Sequence, residues 1–371
     1  MAEFFDITQV DPNLLAKNEI TVPPETIVYR DVRSLPVDFY GLWEPRGASP
    51  FRRMPSDVAE SVSRGVFNLS HQTAGGRIRF QTDSKVIAIH VVQREKLRYF
   101  AHMTFLGTSG FDLYRVEDGK QVFTKSLLPP VDRDKGYDAL VEMPDRRMRE
   151  YILDFPLYDW VTDLSLGLEK TAKLEGGSPY TAAEKPVVFY GPSTLQGGCA
   201  CRPGTYHCAL LSRWLDMDYV NLGFSGSALG EPEMANYLAS LDGAAYVLEY
   251  EGNAPTAEHL RATHEPLFQT IRAAHPDTPI LIAGHWAPPD TRPDELTGAQ
   301  QAERGAVIRD TYDHAVAAGD KNVYYLDSQS VFTDYGGADC TVDGVHPNDL
   351  GFYLMAKAEE PILRKMLGLP D

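Results

Sequence analysis

Four short segments of this 371-residue chain hold the residue types needed to break an ester bond. Ser193 stands in Gly191-Pro192-Ser193-Thr194-Leu195-Gln196-Gly197-Gly198, and Asp343-Gly344-Val345-His346 pairs a carboxylate with an imidazole. A serine hydroxyl is a poor nucleophile until an imidazole takes its proton. That imidazole works best when a carboxylate fixes its tautomer and stabilises its cation. Three residues apart, Asp343 can reach the Nδ1 side of the His346 ring and leave Nε2 for Ser193. The charge that develops on the attacked carbonyl needs preorganised donors, a contribution of several kcal/mol. Asn221-Leu222-Gly223-Phe224-Ser225-Gly226 and Glu251-Gly252-Asn253 supply them: the backbone N–H groups of Ser193 and Gly223 and the carboxamide of Asn253 are the expected three. Pro192 lacks an N–H of its own but leaves that of Ser193 intact.

These segments need a scaffold that brings them to one place. Short apolar runs at 186–190, 219–222, 245–250, 279–283 and 323–326 alternate with helical patterns near 206–215, 232–241, 257–274, 300–318 and 349–367. Five β-then-α units call for a parallel sheet covered on both faces, a three-layer α/β/α domain over 186–371. Ligands of such sheets bind at the carboxyl ends of the strands, where all four segments fall. Singly, each segment reads as an ordinary turn or helix start; together at one sheet edge they point to acyl transfer.

Residues 25–170 alternate with period two, as in Arg77-Ile78-Arg79-Phe80-Gln81 and Val86-Ile87-Ala88-Ile89-His90-Val91, the pattern of half-buried strands. Residues 111–116 and 121–127 flank a Gly-containing turn and predict a hairpin. Further strands are expected at 27–30, 66–70, 99–105 and 151–155, giving an all-β antiparallel sandwich with few helices. Residues 1–24 form an N-terminal extension, and 171–185, with Gly176-Gly177-Ser178-Pro179, a linker.

The net charge is −17, and residues 184–371 hold 12 basic against 26 acidic side chains. That balance argues against nucleic acid or an anionic membrane as partner. Acidic helix residues such as Glu258, Glu265, Asp310 and Asp313 read as solvated faces. The opening Met-Ala-Glu-Phe-Phe-Asp lacks the basic and apolar regions of a secretory signal, and no apolar run approaches the roughly 20 residues of a membrane span, so a cytoplasmic setting is expected. The four cysteines do not form a disulfide framework. Cys199, Cys201, His207 and Cys208 lack the paired C-x-x-C knuckles of a structural zinc site, so no metal and no cofactor is expected.

The Gly191-Pro192-Ser193, Asn221-to-Gly226, Asn253 and Asp343-to-His346 segments, in that order, resemble the blocks of the SGNH, or GDSL-type, hydrolase superfamily over about 184–371. Gln196-Gly197-Gly198-Cys199-Ala200 with Arg202-Pro203-Gly204 resembles its bacterial branch with an N-terminal GxDLY domain, and Gly110-Phe111-Asp112-Leu113-Tyr114 is similar to that motif. The resemblance implies a flavodoxin-like hydrolase domain behind a jelly-roll-like sandwich. It implies Ser193 as nucleophile, His346 and Asp343 as its triad partners, and Gly223 and Asn253 as oxyanion donors. Pro192 replaces the Asp of the GDS form, Leu195 stands where Thr is common, and Ala254 follows Asn253 where many relatives have Asp. None of these departures removes a required group.

Four residues are candidates for substrate contact: Arg202 beside the nucleophile loop, Glu251 beside the oxyanion loop, Trp286 in Gly284-His285-Trp286-Ala287-Pro288, and Trp43 reaching in from the sandwich domain. The expected activity is a serine esterase removing acetyl groups from neutral oligosaccharides, with a small-molecule or oligosaccharide ester as substrate and a further copy of the chain as partner in a homo-oligomer. The alternatives are a short-chain lipid esterase, thioesterase or acyltransferase, and an inactive glycan-binding protein.

Overall fold

A computed structural model describes residues 21–94, 100–130, 135–286 and 298–370. The first part holds strands β1 (Ile27–Asp31), β2 (Asp38–Tyr40), β3 (Arg77–Thr82), β4 (Val86–Gln93), β5 (Phe111–Glu117), β6 (Lys120–Leu127), β7 (Gly136–Glu142), β8 (Arg149–Asp154), β9 (Val161–Glu169) and β10 (Leu174–Gly176). They form two antiparallel sheets, β1-β9-β4-β7 and β10-β3-β8-β5-β6, with β2 on the edge of β3 beside β10. Ile78 and Phe80 of one sheet and Ile87, Ile89 and Val91 of the other are buried in a common core, so the period-two pattern faces inward. The β5–β6 hairpin turns at Asp118 (φ 50°) and Gly119 (φ 73°), the paired left-handed residues of a tight hairpin matched to strand twist.

Three short helices depart from the all-β expectation: α1 (Ser56–Val62), α2 (Arg64–Ser70) and α3 (Phe105–Ser109). Residues 66–70, expected as a strand, lie in α2, because Ser63 caps it by accepting from the Val66 N–H and Val66 buries itself against the hydrolase domain. The expected strand at 99–105 is also absent. Tyr99 lies outside the described residues, while Thr104 caps α3 through the Gly107 N–H. The segment 171–185 is not a free linker: β10 pairs with β3, and the Tyr180 hydroxyl accepts from Arg77 Nε at 2.7 Å.

The second part alternates β11 (Val187–Gly191), α4 (Ser193–Gln196), α5 (His207–Leu215), β12 (Tyr219–Gly223), α6 (Pro232–Ser240), β13 (Ala245–Leu248), α7 (Ala257–Ala274), β14 (Ile280–Ala283), α8 (Gly298–Ala317), β15 (Val323–Leu326), α9 (Ser328–Tyr335) and α10 (Asp349–Leu367). The strands run parallel in the order β12-β11-β13-β14-β15, the flavodoxin-like arrangement. Inner strands β11, β13 and β14 are buried at every position, which is why their sequences are unbroken apolar runs. Helices α6, α7 and α8 cover one face and α5, α9 and α10 the other.

The two domains share buried surface. Arg53, 2% exposed, donates from Nη1 to the carbonyls of Asn221 and Gly223, at 2.9 and 2.7 Å, and from Nε to Gln72. It thereby satisfies carbonyls of edge strand β12 that no neighbouring strand reaches. Arg77 pairs with Asp218 across the same boundary.

Candidate active site

Ser193 opens α4 directly after β11, and its residue is 9% exposed. Its Oγ lies 2.8 Å from His346 Nε2. His346 precedes α10, and its Nδ1 lies 2.8 Å from Asp343 Oδ2. Asp343 Oδ1 accepts from the backbone N–H groups of Val345 (3.1 Å) and His346 (2.8 Å), so the loop is wound around its own carboxylate. Partial burial works against charge on Asp343, but the hydrogen bonds from the His346 backbone and ring outweigh it and hold the carboxyl below its usual range.

Asn253 lies in the turn Tyr250–Asn253 after β13, and its Nδ2 donates to the Phe224 carbonyl at 3.0 Å. One amide N–H is used in that bond and the second remains. Gly223 does not present a free donor. Its N–H is given to Asn221 Oδ1 at 2.8 Å, and a Cβ on it would lie 2.4 Å from the backbone N of Gln196, so this glycine serves close packing of β12 on α4. In the following turn the N–H groups of Phe224, Ser225 and Ser227 are also taken, by Gly191, Gln196 Oε1 and Phe224. Among the described residues the N–H of Gly226, exposed and at φ 66°, has no acceptor.

Arg202, expected near substrate, is instead a further link between the domains. Its Nη1 donates to Asp112 Oδ2 (2.7 Å) and the Tyr114 hydroxyl (2.6 Å), and its guanidinium lies 4.2 Å over the Phe123 ring. Asp112, fully buried, also accepts from the Gly204 N–H at 2.9 Å and from Ser126 Oγ at 2.7 Å. The Asp and Tyr of Gly110-Phe111-Asp112-Leu113-Tyr114 therefore hold the loop that follows the nucleophile.

Glu251 and Trp286 are likewise withdrawn from substrate. Glu251 is 1% exposed, accepts from the His285 N–H at 2.7 Å, and is pushed up to about 7 by burial. Trp286 is 3% exposed and packs with Phe332 in the core under the sheet. Trp43 is half-buried within the sandwich domain, its N–H on the Arg52 carbonyl and the Arg52 guanidinium 5.9 Å from its ring.

The sandwich domain reaches the site through residues that carried no local signal. Tyr158 donates its hydroxyl to the Ser193 carbonyl at 3.2 Å, and the exposed ring of His102 lies 5.5 Å from that of His346. Phe100 packs edge-on against Tyr158. Gln196, also unforeseen, bridges Ser225, Gln72 and Leu157 beneath the nucleophile.

A flavodoxin-like sheet with a serine, histidine and carboxylate at its carboxyl edge, behind an antiparallel sandwich, defines an SGNH-type hydrolase architecture. Residues 184–364 match the GDSL-like lipase/acylhydrolase family, and residues 27–174 match the GxDLY family, the N-terminus of SGNH-hydrolase-type esterases. The C-terminal domain thus belongs to the GDSL-like lipase/acylhydrolase family and the N-terminal domain to the GxDLY family. A GDSL-like lipase structure from Bacteroides ovatus is 28% identical, with a TM-score of 0.82 over 93% of this chain and 99% of that one. The salicylyl-acyltransferase SsfX3 of a tetracycline biosynthetic pathway is 20% identical, with a TM-score of 0.73 over 93% and 98%. A family two carbohydrate esterase from Clostridium thermocellum, in complex with cellohexaose, is 13% identical, with a TM-score of 0.55 over 80% and 93%. The last two likenesses concern the fold alone. Among curated proteins, none matches the chain in sequence. No helix among the described residues is long and apolar enough to cross a membrane.

Proposed function

We propose that the protein is a serine esterase that removes short acyl groups, acetyl foremost, from the hydroxyls of neutral oligosaccharides. The observation that carries the esterase reading is the continuous chain from Ser193 Oγ through His346 to Asp343, with 2.8 Å at each link. Ser193 Oγ bonds to the ester carbonyl carbon as its proton passes to His346 Nε2. The carbon–oxygen bond to the sugar then breaks, and His346 returns the proton to the leaving alkoxide oxygen. Water, deprotonated by His346, attacks the acyl-serine; as the Ser193–acyl bond breaks, the proton returns to Ser193 Oγ and the acid is released. The Ser193 N–H, the Gly226 N–H and the second amide proton of Asn253 receive the oxyanion.

Two features support a short acyl group and a neutral alcohol. Tyr158 bonds the Ser193 carbonyl, His102 lies beside His346 and Phe100 packs on both Tyr158 and His102, so rings of the sandwich domain flank the triad. The hydrolase half carries the excess of acidic side chains, which disfavours an anionic polymer. Acetylated xylan and mannan oligosaccharides should release acetate, with kcat/KM for acetyl esters at least about tenfold above that for octanoyl esters, a gap of about 1.4 kcal/mol. Preference for the longer chain would overturn the acetyl assignment. Transfer to an added alcohol in preference to water would replace hydrolysis with acyl transfer, the activity named for SsfX3.

Asn253→Ala should lower kcat by about 10²–10³-fold with little change in KM, because the lost donor acts on charge present only in the transition state. Its bond to Phe224 also disappears. Thermal melting therefore accompanies the kinetics, and the oxyanion role fails if kcat stays within about threefold of wild type while the fold is intact.

A further inference from the structure

Beneath the site, on the face covered by α5 and α10, three ionisable side chains from separate elements converge in the core. His207 is the first residue of α5, Glu249 follows β13, and Glu359 lies within α10. They are 0%, 2% and 0% exposed. One ligand atom from each lies within 4.8 Å of the other two, and His207 Nε2 is 3.8 Å from Glu249 Oε2. Apart from each other and Trp286, the oxygens of Glu249 and Glu359 have no hydrogen-bond partner among the described residues, nor has His207 Nδ1, while His207 Nε2 meets Cys208 Sγ at 3.4 Å. Trp286 Nε1 faces Glu249. No lysine or arginine pairs with either carboxylate among the described residues.

Two facing carboxylates in an apolar core cannot both stay ionised without a counter-charge, because each costs several kcal/mol to desolvate and the two repel. Either protons or a cation must supply that charge. A proton shared by the carboxyls satisfies only those two side chains, and the imidazole, which meets Cys208 Sγ at 3.4 Å through Nε2, keeps an unpartnered Nδ1. The fully buried His207 ring, in its neutral form, offers a lone pair at one nitrogen. Its orientation is set by parallel stacking on Phe352, with centroids 5.9 Å apart and 3° between planes. Two carboxylates and one neutral imidazole around a divalent cation sum to zero charge, the condition a buried site must meet.

We propose that His207, Glu249 and Glu359 form a buried site for a first-row divalent cation of zinc type, which ties α5, α10 and the end of β13 together. The imidazole selects against magnesium and calcium, which take oxygen donors, and in favour of zinc. Zinc bonds of about 2.0–2.2 Å require the three donors to close by roughly an ångström from their present spacing. The site lies apart from the reacting atoms. It acts through Glu249, which immediately precedes the turn that presents Asn253.

The full-length protein, incubated with zinc and passed through gel filtration, should retain about one zinc per chain by elemental analysis. Chelation with dipicolinate should lower its melting temperature, and zinc should restore it. X-ray absorption should show nitrogen and oxygen neighbours only. Glu359→Gln should lose the metal, whereas His102→Ala should keep it. The control matters because His102, Cys199 and His346 form a second cluster of candidate ligands. Loss of zinc in His102→Ala with retention in Glu359→Gln would place the ion there and overturn the proposal; a sulfur neighbour would overturn the three-ligand set as well, whether it came from Cys199 there or from Cys208, 3.4 Å from His207 Nε2. So would the absence of stoichiometric zinc after incubation, which would leave the carboxyls sharing protons. If Glu359→Gln fails to fold, the absorption spectrum of the wild-type protein decides alone.

Discussion

Ser193→Ala abolishes ester hydrolysis to the level of about 10⁴-fold or more below wild type, with the melting temperature unchanged within a few degrees. The size of the loss follows from the geometry. Ser193 Oγ is the atom 2.8 Å from His346 Nε2, so its removal takes away both the nucleophile and the acceptor of the acyl group. Any residual rate comes from the oxyanion donors and from binding, which alone sustain roughly 10³–10⁴-fold over water in serine hydrolases. Stability should hold because the Tyr158 hydroxyl bonds the backbone carbonyl of Ser193, which alanine retains. The measurement is kcat on acetyl esters with the purified variant, alongside thermal melting. A loss smaller than tenfold would mean that the measured hydrolysis does not come from Ser193, and it would favour the alternative of an inactive glycan-binding protein.

Asp343→Asn should cost about 10⁴-fold in kcat while leaving substrate binding near wild type. The carboxylate does two things at once. Oδ2 faces His346 Nδ1 and fixes the tautomer that leaves Nε2 free for the Ser193 proton, while Oδ1 accepts two backbone N–H bonds that shape the loop. Asparagine can keep the loop bonds through its carbonyl oxygen. It then turns an NH₂ toward Nδ1, which selects the wrong tautomer and gives no charge to stabilise the imidazolium. The pH dependence has a defined sign. Because the Asp343 carboxyl is held below its usual range, its contribution is complete at and above the ordinary carboxylate range and is lost only as pH falls through the lowered value. Loss of activity between pH 5 and 7 is therefore not due to Asp343, and the Asn variant should be low at every pH rather than regaining rate in base. Recovery to within tenfold of wild type at high pH would contradict the orienting role.

Most of the fold is legible in the sequence. The hydrolase domain announces itself through the switch from period two to buried apolar runs separated by helical segments. Its expected strands and helices fall within two residues of their places because both sheet faces are covered and every inner strand must be apolar. The sandwich was legible where one face is core and the other is solvent. It was misread where a segment faces the other domain: Val66 looks like a strand residue, yet it is a helical residue packed against the hydrolase core. Helix α9 was missed because it is short and exposed along much of its length.

By itself the sequence determined which chemistry is available and the order in which it is presented: Ser193 and Asn253 just after strands β11 and β13, and Asp343 and His346 in the loop that enters α10, separated from β15 by helix α9. Local rules suffice there, since strand ends and the Asp-x-x-His loop are set by residues close in the chain. Tertiary structure alone decided which groups are free to act. Gly223 gives its N–H to Asn221 and Gly226 does not; Arg202 joins Asp112 across 90 residues; Glu251 and Trp286 are buried; His102 and Tyr158 arrive from another domain. The reason is physical. A donor's partner and a side chain's exposure depend on what packs against them from distant parts of the chain, and no spacing within a motif encodes that.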